Sequence, residues 1–283
     1  MDYAESGILI VEAKEASAMQ KAGYQIVDAQ RMSSYEKEHL PGAVNLERRQ
    51  IVVMDPVPNT LAPADVIAQV AGEVGITEES DLLIYDDNMN MDASRLFWSL
   101  KIWGHQGDIR IVSGGLKALK RNGWEVTQKI PSVQPVDYNP GSLNQDMLAE
   151  KEEILAYIDQ PSEKTVLIDV RSDEEYNAGT IPGALHINHE RNLFVNEELG
   201  TTFRPVSHNR ILYKERGILP ENEIILFCKS SVRATNSYAA LYNAGYRNLK
   251  VYDGAWLEWY TEELPVFKPE VTVETTVSPS DNS

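Results

Sequence analysis

Short apolar runs followed by polar stretches with helical spacing recur along this chain of 283 residues. Gly7–Val11, Gln25–Ala29, Leu82–Tyr85 and Ile109–Val112 read as strands. Glu12–Ala22, 62–75, Ala93–Trp103 and 116–122 read as helices, with Pro63 near one first turn and Gly104 closing another. The segment 129–145 has three prolines, one glycine and no period, and reads as a linker. After it the pattern restarts. A helix is expected at Asp146–Ile158, a strand at Thr165–Val170, a short helix at Ser172–Ala178 and a turn into a strand at Ile181–Ile187. An irregular insert over 188–207 precedes a helix near 208–217, a buried strand at Ile224–Phe227, a long helix after it and a last strand at Leu249–Val251. Alternation at this spacing predicts an α/β fold with two domains, each a mostly parallel sheet flanked by helices. The expected division is 1–128, a linker at 129–145, 146–269, and a Thr-, Ser- and acid-rich tail at 270–283.

The two halves repeat each other residue by residue in places. Tyr35, His39, Pro41, Gly42 and Ala43 parallel Tyr176, Thr180, Pro182, Gly183 and Ala184, and each set follows a strand ending in Asp28 or Asp169. Leu82–Asp86 parallels Ile224–Cys228, and Ser113-Gly114-Gly115 parallels Asp253-Gly254-Ala255. The chain is therefore a duplicated domain. Its one cysteine, Cys228, stands where the first copy has Asp86.

Charge narrows the chemistry. The net charge of −17 disfavours nucleic acid and anionic membrane surfaces as partners. No apolar run approaches the roughly 20 residues of a membrane span. The N-terminus lacks a basic region and a long apolar run, so no signal peptide is expected there. The compartment stays open, cytoplasmic or periplasmic after removal of a leader. Against this acidic background the segment Cys228, Lys229, Ser230, Ser231, Val232, Arg233 is cationic. It lies between a strand and a helix carrying Ala234, Tyr238, Leu241 and Tyr242 on one face. A thiol at a helix N-terminus beside two cations is placed to ionise and to act as a nucleophile. A lone cysteine is more often an inert core residue, and the alternative for Lys229 and Arg233 is that they are solvated charges. A cation at a helix N-terminus is unfavourable unless an anion is present, which argues for the functional reading.

At these residues the chain resembles the tandem-domain rhodanese family, sulfurtransferases of the thiosulfate and mercaptopyruvate type. Tyr35–Leu46 is similar to the family's N-terminal motif, and Tyr252–Trp259 to its C-terminal one. The resemblance spans about residues 7–268. It implies a catalytic Cys228 that cycles between thiolate and persulfide, with Lys229, Ser230, Ser231, Val232 and Arg233 as the substrate loop. It also implies a small anionic sulfur donor and an acceptor that is cyanide, a thiol or a thioredoxin-like protein, with no cofactor or metal. Asp86 carries no transferable sulfur, so the first domain is expected to be inactive. Related cysteine phosphatases have Cys-x5-Arg. The Cys-x4-Arg of this chain suits a sulfur rather than a phosphate. Lys229 and Arg233 favour the dianion thiosulfate, while Val232 is similar to the mercaptopyruvate pattern and Ser231 replaces the glycine of both. A poorly turning sulfur carrier and a phosphatase-like enzyme are the rivals from other classes.

The remaining candidates have simpler readings. His186, His189 and Glu190 lack zinc-motif spacing, and Asp86, Asn88 and Asn90 lack the glycine and glutamate of a calcium loop. His39 and the Pro-Gly turns read as structural, Arg171 as an ion-pair former, and Trp256 and Trp259 as core. The resemblance implies a pocket between the two domains, which makes Arg95 and Arg191 candidates to face the thiol.

Overall fold

A computed structural model describes residues 3–196 and 200–270; the expected tail beyond 270 lies outside them. The first half contains β1 (Ile10–Glu12), α1 (Ala16–Lys21), β2 (Gln25–Asp28), α2 (Met32–Tyr35), β3 (Val44–Asn45), β4 (Val52–Val53), β5 (Thr60–Leu61), α3 (Ala64–Glu73), β6 (Leu82–Tyr85), α4 (Met91–Ile102), β7 (Ile109–Ser113) and α5 (Gly115–Arg121). The second contains β8 (Leu148–Ala149), α6 (Lys151–Asp159), β9 (Thr165–Asp169), α7 (Asp173–Ala178), β10 (Leu185–His186), β11 (Leu193–Phe194), β12 (Thr202–Phe203), α8 (Val206–Lys214), β13 (Glu223–Phe227), α9 (Val232–Asn243), β14 (Leu249–Tyr252) and α10 (Ala255–Thr261). The two main sheets run β1-β7-β6-β2-β3 and β8-β14-β13-β9-β10, and every pairing in them is parallel. Strand for strand this is the same permutation twice. The duplication in the sequence is thus a duplication of topology. The central strands β6 and β13 are apolar runs because helices cover both faces of a parallel sheet.

Several expectations need correction. The helix expected from Asp146 begins at Lys151; Gln145–Met147 is a 3-10 turn and Leu148–Ala149 an edge strand. Two residues are too few to show a strand period. The insert 188–207 is ordered in part, with a 3-10 turn at His189–Asn192 and the β11–β12 hairpin. The first strand begins at Ile10 rather than Gly7. The Leu9 and Ile10 amides both donate to Asn243 Oδ1 at 3.0 Å, which ties this stretch to the second domain. The segment 129–145, expected to be a linker, runs pinned along the first half: Val136 N–H donates to the Gly72 carbonyl at 3.0 Å and Gly141 N–H to the Trp103 carbonyl at 2.8 Å. Gly72 permits that approach, since a Cβ there would stand 2.4 Å from the Val136 oxygen.

Helices α4 and α9 join the halves. Ten of the twelve residues are buried in each. The single apolar face expected for α9 is therefore incomplete: its own sheet covers one side and α4 the other. Phe97 meets Tyr238 and Tyr242 at ring distances of 6.4 and 5.8 Å. One continuous cluster of buried side chains includes Ile84, Leu96 and Phe97 of the first half and Leu226, Tyr238 and Leu241 of the second. This contact is a shared core and places the loop after β13 against first-half residues.

Candidate functional site

Cys228 follows the last residue of β13 and is 1% exposed. Its carbonyl accepts the Trp256 N–H at 2.9 Å and the Lys229 carbonyl accepts the Leu257 N–H at 3.2 Å, so the loop rests on the start of α10. Lys229 is exposed, Ser230 half-buried and Ser231 fully buried. Ser231 caps α9 from the left-handed region, with φ 66°. That conformation favours glycine. Here the serine hydroxyl contributes a compensating bond, donating to the Asp253 carbonyl at 2.5 Å. The left-handed serine is thus held in the turn that a glycine would make freely.

Arg233 lies in the first turn of α9 and forms a two-pronged pair with Glu175 of α7, at 2.5 and 2.9 Å. Burial alone would lower the Arg233 pKa; the Glu175 hydrogen bond, then Cys228, hold it raised. Arg233 is therefore shared between the thiol and a carboxylate. Its hydrogen bond to Glu175, working against partial burial, brings that carboxyl down to about 2. Burial, then the Arg233 charge, pushes His189 down to about 4, so this imidazole is neutral at pH 7. Glu175 was not legible as a site residue. Its only sequence signal is a helix-capping one: Ser172 and Glu175 form a capping box at the start of α7.

The first half contributes directly. Arg95 of α4 is fully buried, and its Nη1 lies 2.7 Å from Asp253 Oδ1. Its Nη2 donates to the Asn59 carbonyl at 2.9 Å, and the Leu61 N–H donates to Asp253 Oδ2 at 2.5 Å. The Asn59 side-chain amide donates to Ser230 Oγ at 3.3 Å. Asp253 thus holds the first half with its carboxylate and Ser231 with its carbonyl. Arg95, a candidate to face the thiol, is engaged by Asp253 and Asn59. Arg191 lines a separate cavity with Asn188, Glu190 and Arg204. Arg171 pairs with Asp169 at 2.6 Å and lies 4.2 Å over the Trp256 ring. Trp256 is only half-buried, packed against the core with that cation over its ring, whereas Trp259 is fully buried.

The equivalent position in the first half is a filled cradle. The Asp86 carboxylate accepts four backbone N–H groups, from Asn88 at 3.1, Asn90 at 3.0, and Asp92 and Ala93 at 2.9 Å. Burial, then the nearby Asp92, pushes its pKa up to about 7; the bonds from the Ala93, Asn88 and Asn90 amides oppose a further rise. Helix α4 starts five residues after Asp86, against four from Cys228 to α9, so this loop is one residue longer. The charges are also exchanged. Asp92 stands in the first turn of α4, as Arg233 does in α9, and pairs with Arg48 at 2.7 Å. Among the described residues no group of three or more His, Cys, Asp and Glu side chains is placed to hold a metal ion, and no helix is long and apolar enough to cross a membrane.

Comparison with known proteins matches the Rhodanese-like domain to residues 12–122 and 150–262. The sulfur carrier protein TtuD of Thermus thermophilus is 30% identical over 243 residues, covering 80% of this chain and 83% of that protein. The crystal structure of SseA from Escherichia coli, described with the 3-mercaptopyruvate sulfotransferases, superposes with a TM-score of 0.74 at 25% identity, over 87% of this chain and 98% of that one. EanB with ergothioneine shares the fold alone, with a TM-score of 0.82 at 20% identity over 95% of this chain and 72% of that one. Two parallel sheets of one topology, both matched by the same domain family, and a relationship to a sulfur carrier over 80% of the chain lead to one assignment: the chain belongs to the rhodanese-like sulfurtransferase family, as a tandem of two such domains.

Proposed function

We propose that the chain transfers a sulfane sulfur from thiosulfate to cyanide or a thiol through a persulfide on Cys228. The observation that supports this reading is the thiol itself, at the end of a central strand and the start of α9, with Arg233 beside it. In loading, the Cys228 thiolate attacks the outer sulfur of thiosulfate. The sulfur–sulfur bond of the donor breaks and its electron pair leaves with sulfite. In discharge, the acceptor attacks the outer sulfur of the persulfide and Cys228 leaves as the thiolate. Splitting the transfer into two displacements is covalent catalysis, and it uses a single nucleophile. Asp86 has no sulfur to carry, so the first domain acts as a support for the loop. The pairing of Arg233 with Glu175 favours one second reading, a monoanionic donor such as 3-mercaptopyruvate, because among the described residues it leaves Lys229 as the loop cation outside any ion pair. Intact mass after thiosulfate treatment should rise by one sulfur in the wild type and stay unchanged in Cys228→Ala. An adduct that survives the substitution would refute the mechanism, and kcat/KM for the two donors decides between them.

A further inference from the structure

Attack on a donor sulfur does not require a carboxylate against the loop cation, yet Glu175 contacts both terminal nitrogens of Arg233, at 2.5 and 2.9 Å. The pair is partly open to solvent, with side chains 31% and 21% exposed, so its charges are felt at the mouth of the loop. Among the described residues, the partly buried groups around the pair supply no replacement cation. His189 is neutral at pH 7. Arg171, the other cation acting on Glu175, is held by Asp169 at 2.6 Å. Lys229 is exposed. In the first half the residue that matches Glu175, one place before Tyr35, is Ser34, so no carboxylate stands there, and no cation stands in the first turn of α4. The carboxylate and the loop cation therefore occur together, in the half that carries the thiol.

We infer that Glu175 is a positioning residue that sets how much of the Arg233 charge a donor meets, and so lowers the preference of the site for dianionic over monoanionic sulfur donors. The inference rests on the persulfide reading above and deepens it. The carboxylate holds the guanidinium in place with two bonds and offsets its charge. A donor with one more negative charge has more to gain from Arg233 when that offset is removed. The reacting atoms are the same for either donor: the thiolate attacks the outer sulfur, and sulfite leaves from thiosulfate or a sulfinate from a thiosulfonate, each taking the electron pair of the broken bond.

The test compares loading of Cys228 by thiosulfate and by methanethiosulfonate, a monoanion with the same reacting sulfur, in the wild type, Glu175→Gln and Glu175→Asp. Glutamine keeps an oxygen for the Ser172 N–H and for Arg233, so both the capping box and the position of α7 are retained. The ratio of kcat/KM for thiosulfate to that for methanethiosulfonate should rise about two- to fivefold in Glu175→Gln, the size expected of a partly exposed pair. It should fall more steeply with added salt in that variant, and stay at the wild-type value in Glu175→Asp. A ratio that is unchanged, or an equal loss with both donors, overturns the inference while leaving the persulfide intact. If the wild type takes up sulfur from neither donor, the persulfide reading fails and this inference with it.

Discussion

Replacing Arg95 by methionine tests whether the first domain holds the loop. The substitution keeps length and apolar volume and removes only the guanidinium. Arg95 is fully buried and the Asp253 side chain is 9% exposed, so the variant leaves a carboxylate almost out of water without its cation. Breaking a buried pair in this way costs about 3–5 kcal/mol. Asp253 keeps the Leu61 N–H, which places the expected loss at the lower end, about 3 kcal/mol. For a chain of this size that is a fall in Tm of roughly 6–12 °C. The bond to the Asn59 carbonyl goes as well, and Asn59 is the residue whose amide reaches Ser230. Loading of Cys228 should therefore slow at temperatures where the variant is fully folded. Urea unfolding of the wild type, Arg95→Met, Asp253→Asn and the double variant gives the coupling energy, with an expected value above about 1 kcal/mol. A coupling near zero, or a single-variant loss below about 1 kcal/mol, refutes the account of the clamp.

Two further predictions concern the paired loops. Ser231→Ala should destabilise by about 1–2 kcal/mol, because it keeps the left-handed strain and loses the bond to the Asp253 carbonyl, while Ser231→Gly loses the bond but relieves the strain and should stay within about 1 kcal/mol of wild type. Chemical denaturation orders the two, and a more stable alanine variant contradicts the argument. Asp86 titrates at about 7 in the folded chain and near 4 when unfolded. The folded state thus holds an extra proton between those values, and the stabilisation it gives is full below about pH 4 and is lost as the pH rises to about 7. Asp28, raised to about 6, titrates in both proteins being compared. The stability of wild type minus that of Asp86→Ser should therefore fall from pH 4 to pH 7; a flat or rising difference goes against the assignment.

The duplication, the strand Leu82–Tyr85 and the thiol at a helix start are legible because each rests on neighbouring residues. What joins distant segments is not. Glu175 and Arg233 are 58 positions apart, and Arg95 and Asp253 are 158 apart; neither pair leaves a local pattern. The burial of α4 and α9 hides itself, since small and polar residues such as Ser94, Thr235 and Asn236 line a close helix contact as readily as a wet face. The exchange of His39 for Thr180 looks like the loss of a motif residue. Each is fully buried and bonded, His39 to the Tyr35 carbonyl at 2.7 Å and Thr180 to the Asp169 carboxylate at 2.8 Å. The two copies meet the same need for a satisfied polar group with different chemistry. The longer loop after Asp86 follows the same logic, because a carboxylate with two oxygens collects four amides and needs more backbone around it.

The core shared by α4 and α9 has a mechanical consequence. Hinged proteins admit their ligands by parting two lobes along a wet seam, but this seam is as buried as the inside of either lobe, with apolar side chains of both halves in one cluster. Parting it would expose the aromatic contacts of Phe97 with Tyr238 and Tyr242 to water. A donor must therefore reach Cys228 past side chains at the rim while both halves stay closed. For the same reason the peptide between the halves is not what keeps them together. A protease cut within 129–145 should yield two fragments that stay associated and melt in one transition.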